Sequence, residues 1–155
     1  MRIALASDHA GFALKEHLVT VLAAAGHDVV DVGTGDGESV DYPQYAAPAA
    51  RMVADGEVDR GVLVCGSGNG VAIVANKVPG VRAVNAHDVA EAEMARRHND
   101  ANVVTLSGAR LAPDIADAIV ATFLATGFDG GRHARRVDQI AALETTATAT
   151  ATETA

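Results

Sequence analysis

Between Gly61 and Lys77 the chain reads G-V-L-V-C-G-S-G-N-G-V-A-I-V-A-N-K. Gly61–Val64 is a short apolar run of the kind that forms a buried strand, and from Val71 onward the pattern is helical. Cys65, Gly66, Ser67, Gly68, Asn69 and Gly70 lie between them. Strand, glycine-rich turn and helix, in that order, gather several backbone N–H groups around one small space. A helix start carries unpaired donors and a positive dipole end, so it favours an anion. Glycine lets the backbone take positive φ and approach a ligand closely. A thiol stands at the mouth of this cradle.

The rest of the chain repeats the strand–helix alternation. Arg2–Ser7 reads as a first buried strand, with Asp8 and His9 at its end. A helix follows over about Gly11–Ala25, with Phe12, Leu18, Val19 and Leu22 near helical spacing and Gly26 placed to end it. His27–Val32 is the second strand, and Gly33–Val40 an acidic, glycine-rich loop. Asp41-Tyr42-Pro43 opens a helix to about Asp55, with proline early in the first turn. Val81–Ala86 is the fourth strand, and Asp88 with Glu91 forms a capping-box pattern for a helix to about Arg97. Val103–Leu106 is the fifth strand, Pro113–Thr126 a helix, and a last helix runs from Gly130-Gly131 to about Leu143. Such alternation predicts an α/β fold, a parallel sheet covered on both faces. Ligands of such folds bind beyond the carboxyl ends of the strands. That edge gathers Asp8-His9, the Cys65 loop and the residues after the fourth strand. Residues 1–144 read as one domain, and the Thr/Ala-rich stretch 145–155 as a disordered tail.

With 155 residues, 49% of them apolar and almost none aromatic, the core must be built from Ala, Val, Leu and Ile. A net charge of −8 argues against a nucleic-acid partner. It leaves room for a phosphorylated small molecule held by local donors. The single cysteine precludes an internal disulfide, so a cytoplasmic setting is expected. The first apolar run is too short for a signal segment and is broken by Asp8 and His9, and no stretch has transmembrane length.

Cys65 has a bland reading, as a small buried hydrophobe at a strand end. Beside a helix start, a thiol is also readily available as a thiolate base or nucleophile. Phosphatase chemistry asks for Arg after the fifth residue, and Val71 stands there. A triphosphate loop asks for Gly-Lys-Ser/Thr, but Lys77 lies seven residues past Gly70. G-S-G-N-G also departs from the dinucleotide spacing. A thiol over an anion cradle suits proton abstraction beside a carbonyl, with the amides holding the enediolate. The rivals are a non-catalytic anion-binding module and a cysteine hydrolase.

S-D-H-A-G at 7–11, D-Y-P at 41–43, C-G-S-G-N-G at 65–70, A-N-K at 75–77, R-H-N-D-A-N-V at 97–103 and G-G-R-H at 130–133 together resemble the type B ribose-5-phosphate isomerases. That family also includes galactose-6-phosphate and allose-6-phosphate isomerases. The resemblance covers roughly residues 1–144. It implies a Rossmann-like three-layer α/β/α sandwich with a five-stranded parallel sheet. It implies a homodimer, in some members paired into a tetramer, with the active site shared between subunits. It implies no metal and no organic cofactor, and interconversion of ribose 5-phosphate and ribulose 5-phosphate. A tetrose phosphate, allose 6-phosphate or galactose 6-phosphate is the alternative substrate.

The resemblance also implies roles. Cys65 matches the base that moves a proton between C1 and C2. Ser67 stands where many members have Thr, a mild change, since either hydroxyl can bond the reacting oxygens. Gly66, Gly68, Asn69 and Gly70 match the anion hole. His98 matches the group that helps open the sugar ring, with Asp8 on the other side of the ring oxygen. Asn99 matches a sugar-hydroxyl contact, Tyr42 a site-lining residue, and His9, Arg132 and Arg136 phosphate ligands, joined by Arg110. A subgroup that lacks the cysteine uses a glutamate at the position of Val71; this chain has the Cys and lacks the Glu.

Several of these residues have plain structural readings too. Asp8 suits a helix cap, and His98 suits a helix end. Arg132 and Arg136 share a helix face, yet cations near a helix start are unusual without an anion beside them. His17, His27, His87 and His133 read as structural or surface residues. No histidines have tight metal-ligand spacing, and one cysteine offers no thiolate pair.

Overall fold

In the computed structural model, residues 1–152 are described, with side chains through Glu144. Among these residues five strands and five helices alternate and a sixth helix follows: β1 Arg2–Ser7, α1 Phe12–Ala24, β2 Asp28–Asp31, α2 Pro43–Ala54, β3 Arg60–Cys65, α3 Asn69–Ala75, β4 Ala83–Asn85, α4 Val89–Asn99, β5 Val103–Ser107, α5 Pro113–Ala125 and α6 Arg132–Thr152. The strands form one parallel sheet in the order β2-β1-β3-β5-β4. The chain order reverses between β1 and β3, the place where open α/β sheets leave a crevice.

Alternation along each strand divides the core in two. Ile3, Leu5, Val62, Val64, Val104 and Leu106 face α1, α4 and α5, where Phe123 and Ile119 are fully buried. Ala4, Ala6, Leu63, Cys65 and Val103 face α2 and α3. Cys65 therefore ends a strand with its side chain on the α2/α3 face.

The local stop and start signals act as their chemistry dictates. Gly26 takes φ 84°, its N–H donates to the carbonyl of Ala23, and the N–H of His27 to that of Leu22, which closes α1 as a Schellman turn. Asp88 accepts the N–H of Glu91 at 2.8 Å, while Glu91 accepts the N–H of His87 at 2.7 Å.

Some boundaries differ from the sequence reading. β2 and β4 are shorter than the expected 27–32 and 81–86; both are edge strands, paired on one side only. α3 starts at Asn69 rather than Val71, because Gly68 already serves as its N-cap. α6 continues beyond the expected end near Leu143 to Thr152. The side chains of the stretch read as a tail, 145–155, lie outside the described residues, as do residues 153–155 altogether, so the boundary at 144 stays an expectation. No helix among the described residues is long and apolar enough to cross a membrane.

Lys15 was not foreseen in the core. Its side chain is 1% exposed and pairs with Glu16 at 2.6 Å and with Asp31. Burial pulls its pKa down, but the bonds to Asp31 and Glu16 outweigh it and hold the amine above its usual value.

Candidate active site

The Cys65 loop is held from behind. Gly108 N–H donates to the carbonyl of Cys65 at 2.8 Å, and Ser107 Oγ to that of Gly66 at 2.7 Å. Asn85 Nδ2 donates to the carbonyl of Ser67 at 3.2 Å, and Thr105 Oγ1 to that of Gly68 at 2.9 Å. A trans peptide points its C=O and the following N–H in opposite directions. Four successive carbonyls tied back thus turn the N–H groups of Gly66, Ser67, Gly68 and Asn69 to the other side. The N–H of Gly68 reaches Cys65 Sγ at 3.2 Å, and that of Asn69 reaches Ser67 Oγ at 3.3 Å. Cys65 is 4% exposed. Val71, at the position of the glutamate subgroup, is buried among the apolar residues of α2 and α3 and leaves no base there.

Thr105, Ser107 and Asn85 did not stand out in the sequence. Their one signal was polarity inside the apolar strand β5 and at the end of β4.

The β1–α1 turn lies directly against this loop. A Cβ on Gly11 would sit 2.7 Å from the carbonyl of Val64, and one on Gly66 3.6 Å from Ala10 Cβ. Asp8 is buried, and its Oδ1 accepts the N–H of Gly11 at 3.0 Å. Gly11 is itself the N-cap of α1 and no side chain caps that helix, so Asp8 braces the turn before α1 and is not the helix cap its sequence position suggests. His9 Nδ1 accepts the N–H of Val40 at 3.2 Å. A peptide N–H only donates, so in the neutral ring the proton sits on Nε2 and is available to an anion. The Tyr42 ring covers Gly70: a Cβ there would be 2.8 Å from Tyr42 Cζ. Arg110, exposed, follows β5 on this same edge.

His98, Asn99, Arg132 and Arg136 are not part of this group within one chain. α4 leaves the carboxyl edge at Asp88 and, over its 11 residues, descends about 16 Å at the usual helical rise. Its end is tied to the amino edge, where Arg82, just before β4, donates through Nε to the carbonyls of Asn99 and Asp100. There His98 stacks on His133 with ring centres 4.1 Å apart and planes 7° from parallel. Asp129 accepts from Arg97 Nε at 3.2 Å and lies 4.0 Å from His98 Nε2. Arg132 Nε is 3.4 Å from His133 Nε2. His133, read from sequence as structural or surface, is buried and stacked on His98. Burial, then the neighbouring charges of His98, Arg132 and Arg136, push its pKa below the ordinary imidazole value, against the opposing pull of Asp129. Arg97 holds the Asp129 carboxyl below its usual range.

His98, Asp129 and His133 bring their ligand atoms within 4.8 Å of one another, close enough in distance alone to share a metal ion. A metal lies near the plane of each imidazole it binds, however, and two stacked parallel rings share no such point. Asp129 is already paired with Arg97, and arginines surround the rings.

A doubly wound parallel sheet with a thiol and an amide cradle at its switch point defines a class of small-molecule α/β enzyme. The profile of the ribose/galactose isomerases matches residues 3–140, and the chain belongs to that family. It is 43% identical over 143 residues to ribose-5-phosphate isomerase B of Escherichia coli, covering 92% of this chain and 96% of that one. It is 38% identical over 141 residues to D-erythrulose-4-phosphate isomerase of Pectobacterium atrosepticum, covering 90% and 93%. The solved structure of Clostridium thermocellum ribose-5-phosphate isomerase B superposes with a TM-score of 0.93 at 44% identity, covering 94% of this chain and 99% of that one.

Proposed function

We propose that this chain interconverts ribose 5-phosphate and ribulose 5-phosphate through an enediolate, with Cys65 as the base. The observation that carries the reading is the run of four tied-back carbonyls, which aims successive N–H groups past the thiol. In the aldose-to-ketose direction, the Cys65 thiolate removes the proton from C2. The electron pair moves into the C1–C2 bond, and the former carbonyl oxygen gains negative charge. The loop amides and Ser67 Oγ stabilise that charge where it develops. The thiol then returns the proton to C1, while a proton passes from the C2 hydroxyl to the C1 oxygen. The electron redistribution is internal, so the residues of the site suffice for the step.

His9 Nε2–H and Arg110 bind the phosphate together with Arg132 and Arg136. His98 and Asp8 flank the ring oxygen, Asn99 bonds a sugar hydroxyl, and Tyr42 walls the pocket. Since His98, Asn99, Arg132 and Arg136 lie at the far edge of the sheet from Cys65, a second copy of the chain supplies them. The 62% exposure of Ile73, on the outer side of α3 next to the loop, supports such a contact. The catalytic domain is residues 1–144, acting as a homodimer or a pair of dimers.

The similarity to the Pectobacterium protein supports a tetrose phosphate as the second reading. Turnover of ribose 5-phosphate, erythrulose 4-phosphate, allose 6-phosphate and galactose 6-phosphate, measured side by side for wild type and Cys65→Ala, separates these. Conversion of the pentose by wild type alone is the expected result. Binding of sugar phosphate without conversion of any sugar would leave an anion-binding module.

A further inference from the structure

Asn85 ends the edge strand β4, and beyond its tie to the Ser67 carbonyl its side chain makes a second contact that the scheme above does not use. Its Nδ2 lies 3.2 Å from the carbonyl of Ser67 and 2.7 Å from Oδ1 of Asn69. The orientation of both amides follows from one backbone group. Ser67 O can only accept, so the Asn85 atom facing it is the nitrogen. That same nitrogen faces the Asn69 side chain, and two amide nitrogens would oppose donor to donor. The Asn69 atom is therefore its oxygen, and the exposed Asn69 turns its own Nδ2 away from Asn85, to the open side of the loop.

This arrangement leaves Asn85 Oδ1 buried with no hydrogen-bond partner, packed on Gly68, where a Cβ would be 2.2 Å away. A buried acceptor without a donor is destabilising, and an apolar residue of the same shape would avoid it. The amide is thus a poor choice for packing alone. Its nitrogen, however, bonds to both Ser67 and Asn69, on either side of Gly68.

We infer that Asn85 is a positioning residue: it locks the Asn69 amide with its N–H groups facing the bound sugar and fixes the Ser67 carbonyl behind the cradle. Asn69 then acts as a donor to a substrate oxygen and not as an acceptor. The inference rests on the isomerase reading for its catalytic consequence, and on the hydrogen-bond logic alone for the orientation.

Asn85→Asp keeps the shape and removes the donor. In it the Asn69 amide rotates to donate to the new carboxylate and turns its oxygen to the substrate. The Asn69 side-chain N–H resonances, assigned by their loss in Asn69→Ala, therefore shift in the ligand-free Asn85→Asp protein. With ribose 5-phosphate, kcat/KM falls on the order of tenfold or more, as for a lost donor in an oxyanion site. Adding Asn85→Asp to Asn69→Ala costs clearly less than Asn85→Asp costs alone, because part of its effect passes through Asn69 and only the tie on the Ser67 carbonyl remains to be lost. Asn85→Leu, which removes both the donor and the orphaned oxygen, gives the same activity loss. A packing role predicts the reverse, with kcat/KM retained. Unmoved Asn69 resonances in ligand-free Asn85→Asp, or full loss on top of Asn69→Ala, overturn the inference. The ligand-free comparison decides the orientation whichever sugar is turned over, so failure of the substrate assignment and failure of this inference are separate results.

Discussion

The N–H of Gly68 donates to the sulfur of Cys65, 3.2 Å away, from a residue held at φ 78°. The left-handed backbone at Gly68 is what turns the chain back over the thiol. A side chain there would meet Asn85 Oδ1 at 2.2 Å and the backbone of Leu106 at 3.0 Å. Gly68→Ala should destabilise the fold by about 1–3 kcal/mol from backbone strain alone. It should also lower kcat with little change in KM, because the proposed phosphate ligands lie elsewhere. Urea unfolding and steady-state kinetics on one preparation check both effects, and unchanged kcat would refute the link between loop shape and chemistry.

Removing the base should separate chemistry from binding. Cys65→Ala is expected to reduce kcat on the order of a thousandfold, the scale of a positioned general base. Affinity for ribose 5-phosphate should persist, since no phosphate donor is altered. Calorimetric titration beside a turnover assay tests this, and a mutant with near-normal turnover would eliminate Cys65 as base.

The opposite placement of Cys65 and His98 yields a complementation test. Cys65→Ala and His98→Asn homodimers are each expected to be inactive. Mixed after partial unfolding and refolding, they should recover about a quarter of wild-type turnover, because half the dimers are hybrid and each hybrid has one intact site. No recovery, with hybrids demonstrated by mass spectrometry, would mean that each site is built within one chain.

His133 gives stability a pH dependence. Burial first, then the nearby His98, Arg132 and Arg136, lower its pKa in the fold. The unfolded imidazole takes up a proton near pH 6.5, but the folded one only at lower pH. Below about pH 6.5 the unfolded chain therefore binds more protons, and stability falls as pH falls; above that pH this contribution is flat. Urea midpoints measured between about pH 8 and pH 5 should drop toward acid in wild type and drop less in His133→Asn. Equal slopes would show that the ring does not carry the effect.

Much of this was legible from local chemistry. Gly26 ends α1 because a residue at φ 84° suits glycine, and Asp88 with Glu91 caps α4 because their carboxylates reach the nearby N–H groups. The strand, glycine turn and helix around Cys65 needed only hydrophobic period and glycine spacing. Thr105, Ser107 and Asn85 were illegible for a specific reason: each acts on the loop from 16 to 41 residues away. Lys15 was equally hidden, since its burial depends on Asp31 across a strand connection.

The sequence by itself determined the alternation of strands and helices, the motif set and the family, because these rest on local propensity and on residue order. The tertiary structure decided which motifs meet. Parallel strands place Asp8, Cys65 and Arg110 at one edge of the sheet, while the length of α4 carries His98 to the other. That separation depends on the direction each element runs in space, and no spacing along the chain encodes it.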